Sequence, residues 1–392
     1  MYPNFYYLIK DLFGLEVPEA QIINTFGFFV AMGFLAANLA MVLEFKRREK
    51  NGELQAHTIQ VEMGKTASVW SYIGNALMGF ILGYKILWLI INIRQFDDVQ
   101  SQILSSNGSI GMGIIGALVF VGWKYTEVQK IKKKYPEPTM VERVYHPYEM
   151  MGTLTLLAAV TGMIGAKLFD HLEHWEDFKK NPLDAFLDPF SGLTFYGGLI
   201  FGAIAVLWYA KKKGVPYLKM LDIGGPAMML AYAVGRIGCH MSGDGDWGIV
   251  NNAEKPFSWL PDWLWAYDYP NNVAGICDPV AGTQCPDGAE VVLSSPVWPT
   301  PLFEVIVCGL MFWLLWSQRK RFIVPGVLFF FYLTLNGLER FFVEKIRVNI
   351  EYHILGIDIT QAEIISGAMI LGGIAGMVIL KKRANQSSPE PA

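Results

Sequence analysis

The sequence predicts an all-α polytopic membrane protein, and three observations carry that expectation. First, 53% of the 392 residues are hydrophobic and only 17% are charged, whereas a soluble chain carries about a quarter charged residues. Second, apolar runs near the length needed to cross a bilayer, roughly 20 residues, recur along the whole chain. Third, clusters of Lys and Arg close every other run. Length alone would suggest two or three soluble domains. The repeated apolar runs argue instead for one transmembrane domain over residues 1–383. The net charge of −3 says little about partners; a lipid bilayer is expected as surroundings, and no nucleic acid.

Taken in order, residues 1–20 are aromatic and mixed and read as an interfacial segment. They lack a basic start, a compact apolar core and a small-residue cleavage site, so the first span is expected to serve as the targeting signal. That span covers about 22–43 and ends in Glu44-Phe-Lys-Arg-Arg-Glu-Lys50. The second covers about 68–93, with Lys85 inside it, and the third, short and glycine-containing, about 110–123. A basic stretch, 124–143, follows. The fourth run is about 148–169, leading into the acidic, aromatic connector Asp170-His-Leu-Glu-His-Trp-Glu-Asp177, where His171 and His174 read as surface residues. The fifth, about 192–210, ends in Lys211-Lys-Lys213, and the sixth begins near Ile223. A polar segment rich in Trp, Pro, Asp and Asn, 242–297, separates it from the seventh run at 301–316, closed by Arg319-Lys-Arg321. The eighth, 322–343, carries Glu339 and Arg340; the ninth, 359–380, is closed by Lys381-Lys-Arg383; the tail 384–392 reads as disordered. Basic clusters thus follow spans one, three, five, seven and nine. The positive-inside rule then predicts nine spans, an external N-terminus and a cytoplasmic C-terminus, with 242–297 as an extracytoplasmic head. Of the four cysteines, Cys239 and Cys308 read as buried thiols, while Cys277 and Cys285 can pair if the head faces an oxidising compartment.

The sixth run is the stretch on which the chemistry turns. It ends Gly235-Arg-Ile-Gly-Cys-His-Met-Ser-Gly-Asp-Gly-Asp-Trp-Gly248, with Arg236, His240, Asp244 and Asp246 among five glycines. Ionisable groups at membrane depth are costly and by default face a cavity, a partner or a substrate. In the predicted topology Arg236 meets the end of span eight, Arg340-Phe-Phe-Val-Glu-Lys-Ile-Arg347, and the start of span five, Ser191-Gly-Leu-Thr-Phe-Tyr-Gly-Gly-Leu199, near the outer leaflet. Two arginines not fully matched by neighbouring anions suit a phosphate, which a guanidinium grips bidentately; the abundant phosphate at that depth is a phospholipid head group. Blander readings stand beside this. Arg236 pairs with Glu339 or Asp244 as structural glue, or Arg340 with Glu344 across one helical turn. Tyr196 is an interfacial anchor, the glycine pairs serve close helix packing, Lys85 snorkels or pairs internally, and His240 is a satisfied buried histidine rather than a base. Asp244-Gly-Asp246 as a metal-binding pair is a weak signal, and no metal or cofactor is expected.

These residues resemble the prolipoprotein diacylglyceryl transferase family. Its signature Gly-Arg-x-Gly-Asn-Phe-x-Asn-x-Glu-x-x-Gly is similar to 235–248 here, with one extra residue before Trp-Gly. Phe26-Gly27, Gly165-Ala-Lys-Leu168, Phe195-Tyr-Gly-Gly-Leu-Ile200, Trp298-Pro-Thr-Pro-Leu-Phe-Glu304 and the Arg340–Arg347 stretch resemble further family pieces in the same order. The resemblance covers about 22–45 and 148–382. It implies a seven-helix core into which spans two and three, 66–124, are inserted as a hairpin. It also implies a bacterial inner-membrane enzyme that moves the diacylglyceryl group of phosphatidylglycerol to the lipobox cysteine of a prolipoprotein signal peptide. By position, Arg236 would bind the lipid phosphate and Arg340 would stabilise the leaving group. Glu344 and Arg347 would brace the site. Phe26, Gly197, Gly198, Gly235, Gly238, Ser242, Asp244 and Gly248 would line it. The chain departs from the family at Tyr196, where the family has His, at Cys239 and Ser242, where it has Asn, and at Lys167, where it has Arg. Tyr is a poor base near neutrality, so His240 or an acidic neighbour would take the thiol proton, or the cysteine would arrive ionised. The alternative is a non-catalytic lipid-binding or lipoprotein-escort protein. A transporter ranks below both, because no internal repeat is visible.

Overall fold

The computed structural model describes residues 1–64, 67–96, 102, 105, 107–180, 194–286, 288–348, 351–354 and 357–386. Its principal helices are α1 (Phe5–Phe13), α2 (Thr25–Lys50), α3 (Val69–Gln95), α4 (Ile110–Lys134), α5 (Pro147–Glu173), α6 (Phe195–Lys212), α7 (Tyr217–Ser242), α8 (Thr300–Gln318), α9 (Val327–Glu344) and α10 (Gln361–Gln386). Among the described residues, α2, α3, α5, α8 and α10 are long and apolar enough to cross a membrane. The last helix runs through Ala384, Asn385 and Gln386, further than the sequence suggested; the rest of the expected tail, and the first residues of the fifth run at 191–193, lie outside the described residues.

The chain divides into two compact units, one of Asn4–Asn24 and Gln55–His146, the other of Met1–Pro3, Thr25–Leu54 and Pro147–Ala392. In the first unit α3 and α4 form a hairpin at very close range. A Cβ on Gly79 or Gly83 of α3 would strike the carbonyl of Gly116 or Met112 on α4, so backbone meets backbone along the seam. Lys85, expected to snorkel or pair internally, donates to the carbonyls of Ser105 and Asn107, the latter at 2.8 Å. The basic stretch after span three is not a loop. Its lysines are good helix formers and no breaker intervenes before Pro136, so α4 continues to Lys134. Beyond it β2 (Thr139–Tyr145) pairs antiparallel with β1 (His57–Met63), a ribbon absent from the all-helical expectation.

In the second unit α7 is the central helix, packed against α2, α8 and α9. Met229 and Ala233 of α7, Cys308 and Leu315 of α8, and Leu328 and Tyr332 of α9 form one buried cluster. Gly33 lets α2 approach α7, since a Cβ there would lie 3.0 Å from the Ala231 carbonyl. Helix α9 starts at Val327, five residues later than its apolar run, because Pro325-Gly326 breaks the chain and Gly326 adopts φ +92°. The buried Asp222 of α7 accepts from Gly326 N at 2.7 Å and Phe329 N at 2.9 Å, capping α9 from a neighbouring helix. At the same end Glu44 gathers Arg47, Arg48 and Arg319. His171, read as a surface residue, is buried against Phe178 with ring centroids 4.9 Å apart, whereas His174 is exposed.

The 242–297 segment is largely irregular, with short strands β3 (Ile276–Asp278) and β4 (Thr283–Gln284) beside the Cys277–Cys285 disulfide. Trp247, Tyr269, Leu293 and Val297 form its own small core. Cys239 and Cys308 are buried free thiols, as expected. A second ribbon outside the expectation, β5 (Glu351–Ile354) with β6 (Ile357–Thr360), precedes α10. Gly116→Leu is expected to open the α3–α4 seam at a cost of about 1–3 kcal/mol, read as a lowered unfolding temperature and faster amide exchange in both helices.

Candidate active site

Helix α7 ends where Gly243, at φ +65°, returns its N–H to the Cys239 carbonyl at 3.0 Å. The chain then turns back over the helix end. Asp244 Oδ1 accepts from Asp246 N at 3.2 Å, and Thr300 Oγ1, at the start of α8, donates to the Asp246 carbonyl at 2.7 Å. Gly248 N donates to Trp298 O and Ile249 N to Ile346 O, each at 2.9 Å. A side chain at Gly248 would collide with the Ile346 carbonyl, so this glycine is what lets the loop lie against the exit of α9. The ends of α7, α8 and α9 are thereby laced together, and Arg236, two turns back from Gly243, faces the space between them.

At the centre is Glu304, in the second turn of α8 and wholly buried. Arg236 Nε lies 2.9 Å from its Oε2, though off hydrogen-bonding alignment, and Tyr232 Oη donates to its Oε1 at 2.8 Å. Arg340 and Arg347 approach the same carboxylate at 3.9 Å. Arg340 also pairs with Glu344 at 2.9 Å. Asp246 bridges two guanidiniums, Arg236 through Oδ2 and Arg347 through Oδ1, the latter at 2.7 Å. Three arginines therefore meet three carboxylates, Glu304, Glu344 and Asp246. This corrects two sequence readings. The arginines are not short of anions, and Arg236 pairs with Asp246 and Glu304 rather than with Glu339 or Asp244. Burial pushes the Asp246 carboxyl up, but Arg347 and Arg236 outweigh it and hold the group below the ordinary aspartate range. Burial, and then the Asp246 charge, push Asp244 the other way.

The structure brings Arg236, Arg340, Glu344 and Arg347 together, with Asp244 and the buried Ser242 in the adjoining turn. It does not bring the others into this cluster. His240 Nδ1 contacts Tyr269 Oη at 3.2 Å within the aromatic group of the head. Tyr196 is exposed in the first turn of α6. Gly197 packs on Gly165, where a Cβ would strike the facing carbonyl, and Gly198 lies beside Gly162, so both glycines sit in the α5–α6 seam. Gly238 meets Phe26 and Phe29 of α2. Gly235 has open space beside it. Cys239 Sγ and carboxylate oxygens of Asp244 and Asp246 lie within 4.8 Å of one another. Arg236 donates to that sulfur at 3.6 Å and holds Asp246, so a dication there would face guanidinium charge.

Sequence reasoning missed Glu304, although its motif Trp298-Pro-Thr-Pro-Leu-Phe-Glu304 was in view; a carboxylate at the start of an apolar span was the available signal. It also missed Tyr232 and Thr300 as supports, and the way Glu339, buried in α9, sits with neither carboxylate oxygen hydrogen-bonded among the described residues.

The family profile of prolipoprotein diacylglyceryl transferase matches residues 135–379, well over half the chain. The chain belongs to the prolipoprotein diacylglyceryl transferase family. It is 29% identical over 270 residues to a phosphatidylglycerol–prolipoprotein diacylglyceryl transferase of Leptospira interrogans, covering 62% of this chain and 73% of the relative. It is 24% identical over 259 residues to the enzyme so named from Shouchella clausii, covering 66% and 80%. It is 30% identical over 230 residues to that of Streptococcus suis, covering 58% and 75%. The matched region of the transferase profile takes in α5 through most of α10 and so every member of the arginine cluster, while most of the α3–α4 unit lies ahead of it.

Two outcomes are expected from this geometry. Glu304→Ala leaves buried guanidinium charge unanswered and should lower stability by about 3–5 kcal/mol, with Glu304→Gln intermediate, by thermal unfolding in detergent. The folded value of Asp246 lies below its unfolded value near 4. Its contribution is therefore complete above about pH 4 and lost as pH falls through the folded value. Asp246→Asn should flatten that acid limb of the stability profile.

Proposed function

We propose that this family member transfers the diacylglyceryl group of phosphatidylglycerol to the lipobox cysteine thiol of prolipoproteins, the first step of lipoprotein maturation. One observation carries the reading: three guanidiniums from the ends of α7 and α9 converge on Glu304 at the head of an apolar bundle. The thiol is activated as thiolate and attacks the glyceryl carbon that bears the phosphate. The carbon–oxygen bond breaks, and glycerol phosphate leaves with the electron pair. Positive charge held in place where that anion develops lowers the barrier. Arg236 binds the lipid phosphate, Arg340 stabilises the departing group, and Glu344 and Arg347 hold both in place. Phe26, Gly197, Gly198, Gly235, Gly238, Ser242, Asp244 and Gly248 line or shape the approach, with Tyr196 and His240 as candidate polar participants.

In the membrane arrangement proposed with it, nine spans place the N-terminus outside and the C-terminus in the cytoplasm of a bacterial inner membrane. Residues 242–297 form an extracytoplasmic head and 66–124 an inserted hairpin within the 1–383 transmembrane domain. The Cys277–Cys285 disulfide supports an external head, since such bonds persist in oxidising compartments. A second reading, a lipid-binding or escort protein without turnover, draws on Tyr196 in place of the family's histidine and on the full ionic pairing of the arginines.

Purified protein, phosphatidylglycerol and a lipobox peptide should release glycerol phosphate and yield the thioether-linked peptide. Arg236→Ala should lower that rate by at least about a hundredfold, a loss of roughly 2.7 kcal/mol in barrier lowering. Lipid retention without release in the wild type would favour the second reading.

A further inference from the structure

The arginine cluster contains one anion that differs from the rest. Glu304 and Glu344 have side chains 0% and 1% exposed, whereas that of Asp246 is 36% exposed and sits at the open side of the cluster. It is also the carboxylate shared between Arg236 and Arg347. Those guanidiniums are not used up by it. Arg347 commits Nη2 to Asp246, while its buried Nε and Nη1 have no hydrogen-bond partner among the described residues; the Nε of Arg236 lies against Glu304. A guanidinium offers five N–H donors, and buried donors left open are rare in folded proteins. A carboxylate has too few oxygens in the right places to answer them all from one side.

We propose that Asp246 is a resident anion that keeps the Arg236–Arg347 seat until a phosphodiester displaces it, so that the lipid phosphate lies between Arg236 and Arg347. The inference rests on the lipid-transfer reading above and deepens it. A phosphodiester carries one negative charge, as the Asp246 carboxylate does, so the exchange leaves the charge of the cluster unchanged. Its oxygens are spread tetrahedrally rather than in one plane, and so reach donors that Asp246 leaves open. Displacement needs no backbone movement. The Asp246 carbonyl stays with Thr300 Oγ1 at 2.7 Å and its N–H with Asp244 Oδ1 at 3.2 Å, while the side chain turns out on its own χ angles. Space is at hand: Gly245, at φ +98°, has no neighbour nearer to an added Cβ than 3.7 Å. Without an anion in this seat Arg236 and Arg347 would share Glu304 alone, so Asp246 acts as a positioning residue in the lipid-free protein.

The experiment measures binding of short-chain phosphatidylglycerol to the full chain in detergent by calorimetry, for wild type and Asp246→Asn. Removing the competing charge should tighten binding about tenfold. Independently, adding the lipid to wild type should raise solvent labelling of the Asp246 carboxyl, which leaves its partners, while the Arg236 helix gains protection. Equal or weaker binding by Asp246→Asn, or an Asp246 carboxyl shielded by lipid in the wild type, overturns the inference while leaving the transfer reading intact if glycerol phosphate is still released. Absence of both lipid binding and release in the wild type overturns the inference and the transfer reading together. The labelling arm decides the matter if the Asn variant does not fold.

Discussion

The contact between Arg236 and Glu304 is the constraint on which this structure turns. Neither charge tolerates burial alone, since an unpaired ion in an apolar interior is penalised by several kcal/mol. Each therefore fixes the helix that carries it: α7 and α8 must meet at this height, and α9 must deliver Arg340 and Arg347 to the same carboxylate. The loop after α7 follows from that requirement. Gly243, Gly248 and Thr300 fold it over the helix ends and bring Asp246 in as a further anion. Backbone glycines and a side-chain hydroxyl thus serve an electrostatic end.

The helical architecture was legible because apolar length and alternating basic clusters report bilayer burial directly. The arginines were legible too, as charges that an apolar run has no reason to carry. What escaped was pairing. Glu304 lies 68 positions after Arg236, and nothing local marks it as the partner of three guanidiniums. The family acid falls at Asp244 counted from Gly235 and midway between Asp244 and Asp246 counted back from Gly248, so the sequence could not rank the two. Gly197 and Gly198 read equally as room for a head group and as packing surface; only the facing Gly165 carbonyl distinguishes these. The β1–β2 ribbon was hidden because its strands lie 82 positions apart, first residue to first, and each is too short and too polar to stand out.

Two ionic centres occupy opposite ends of the same bundle and are built differently. Around Glu44, one carboxylate gathers Arg47, Arg48 and Arg319, with the guanidinium of Arg319 also resting on the Trp316 ring at 3.8 Å. That centre is sealed among helix ends rich in Lys and Arg. The Glu304 centre opens at Asp246 and keeps buried donors in reserve. The two centres thus differ in exposure and in hydrogen bonding rather than in ionic pairing.

Helix α9 is held at one of these ends by α7 and at the other by α8. Asp222 grips its first turn and the Glu304–Arg236 pair receives Arg340 near its last. Eighteen residues at 1.5 Å each make a strut about 27 Å long. Clamped at two points, it can neither piston along its axis nor spin, because a slip of a single residue would swing Arg340 by about 100° and tear Asp222 from the amides it caps. A shift of α9 along its axis would therefore have to break its contacts with both α7 and α8 at once.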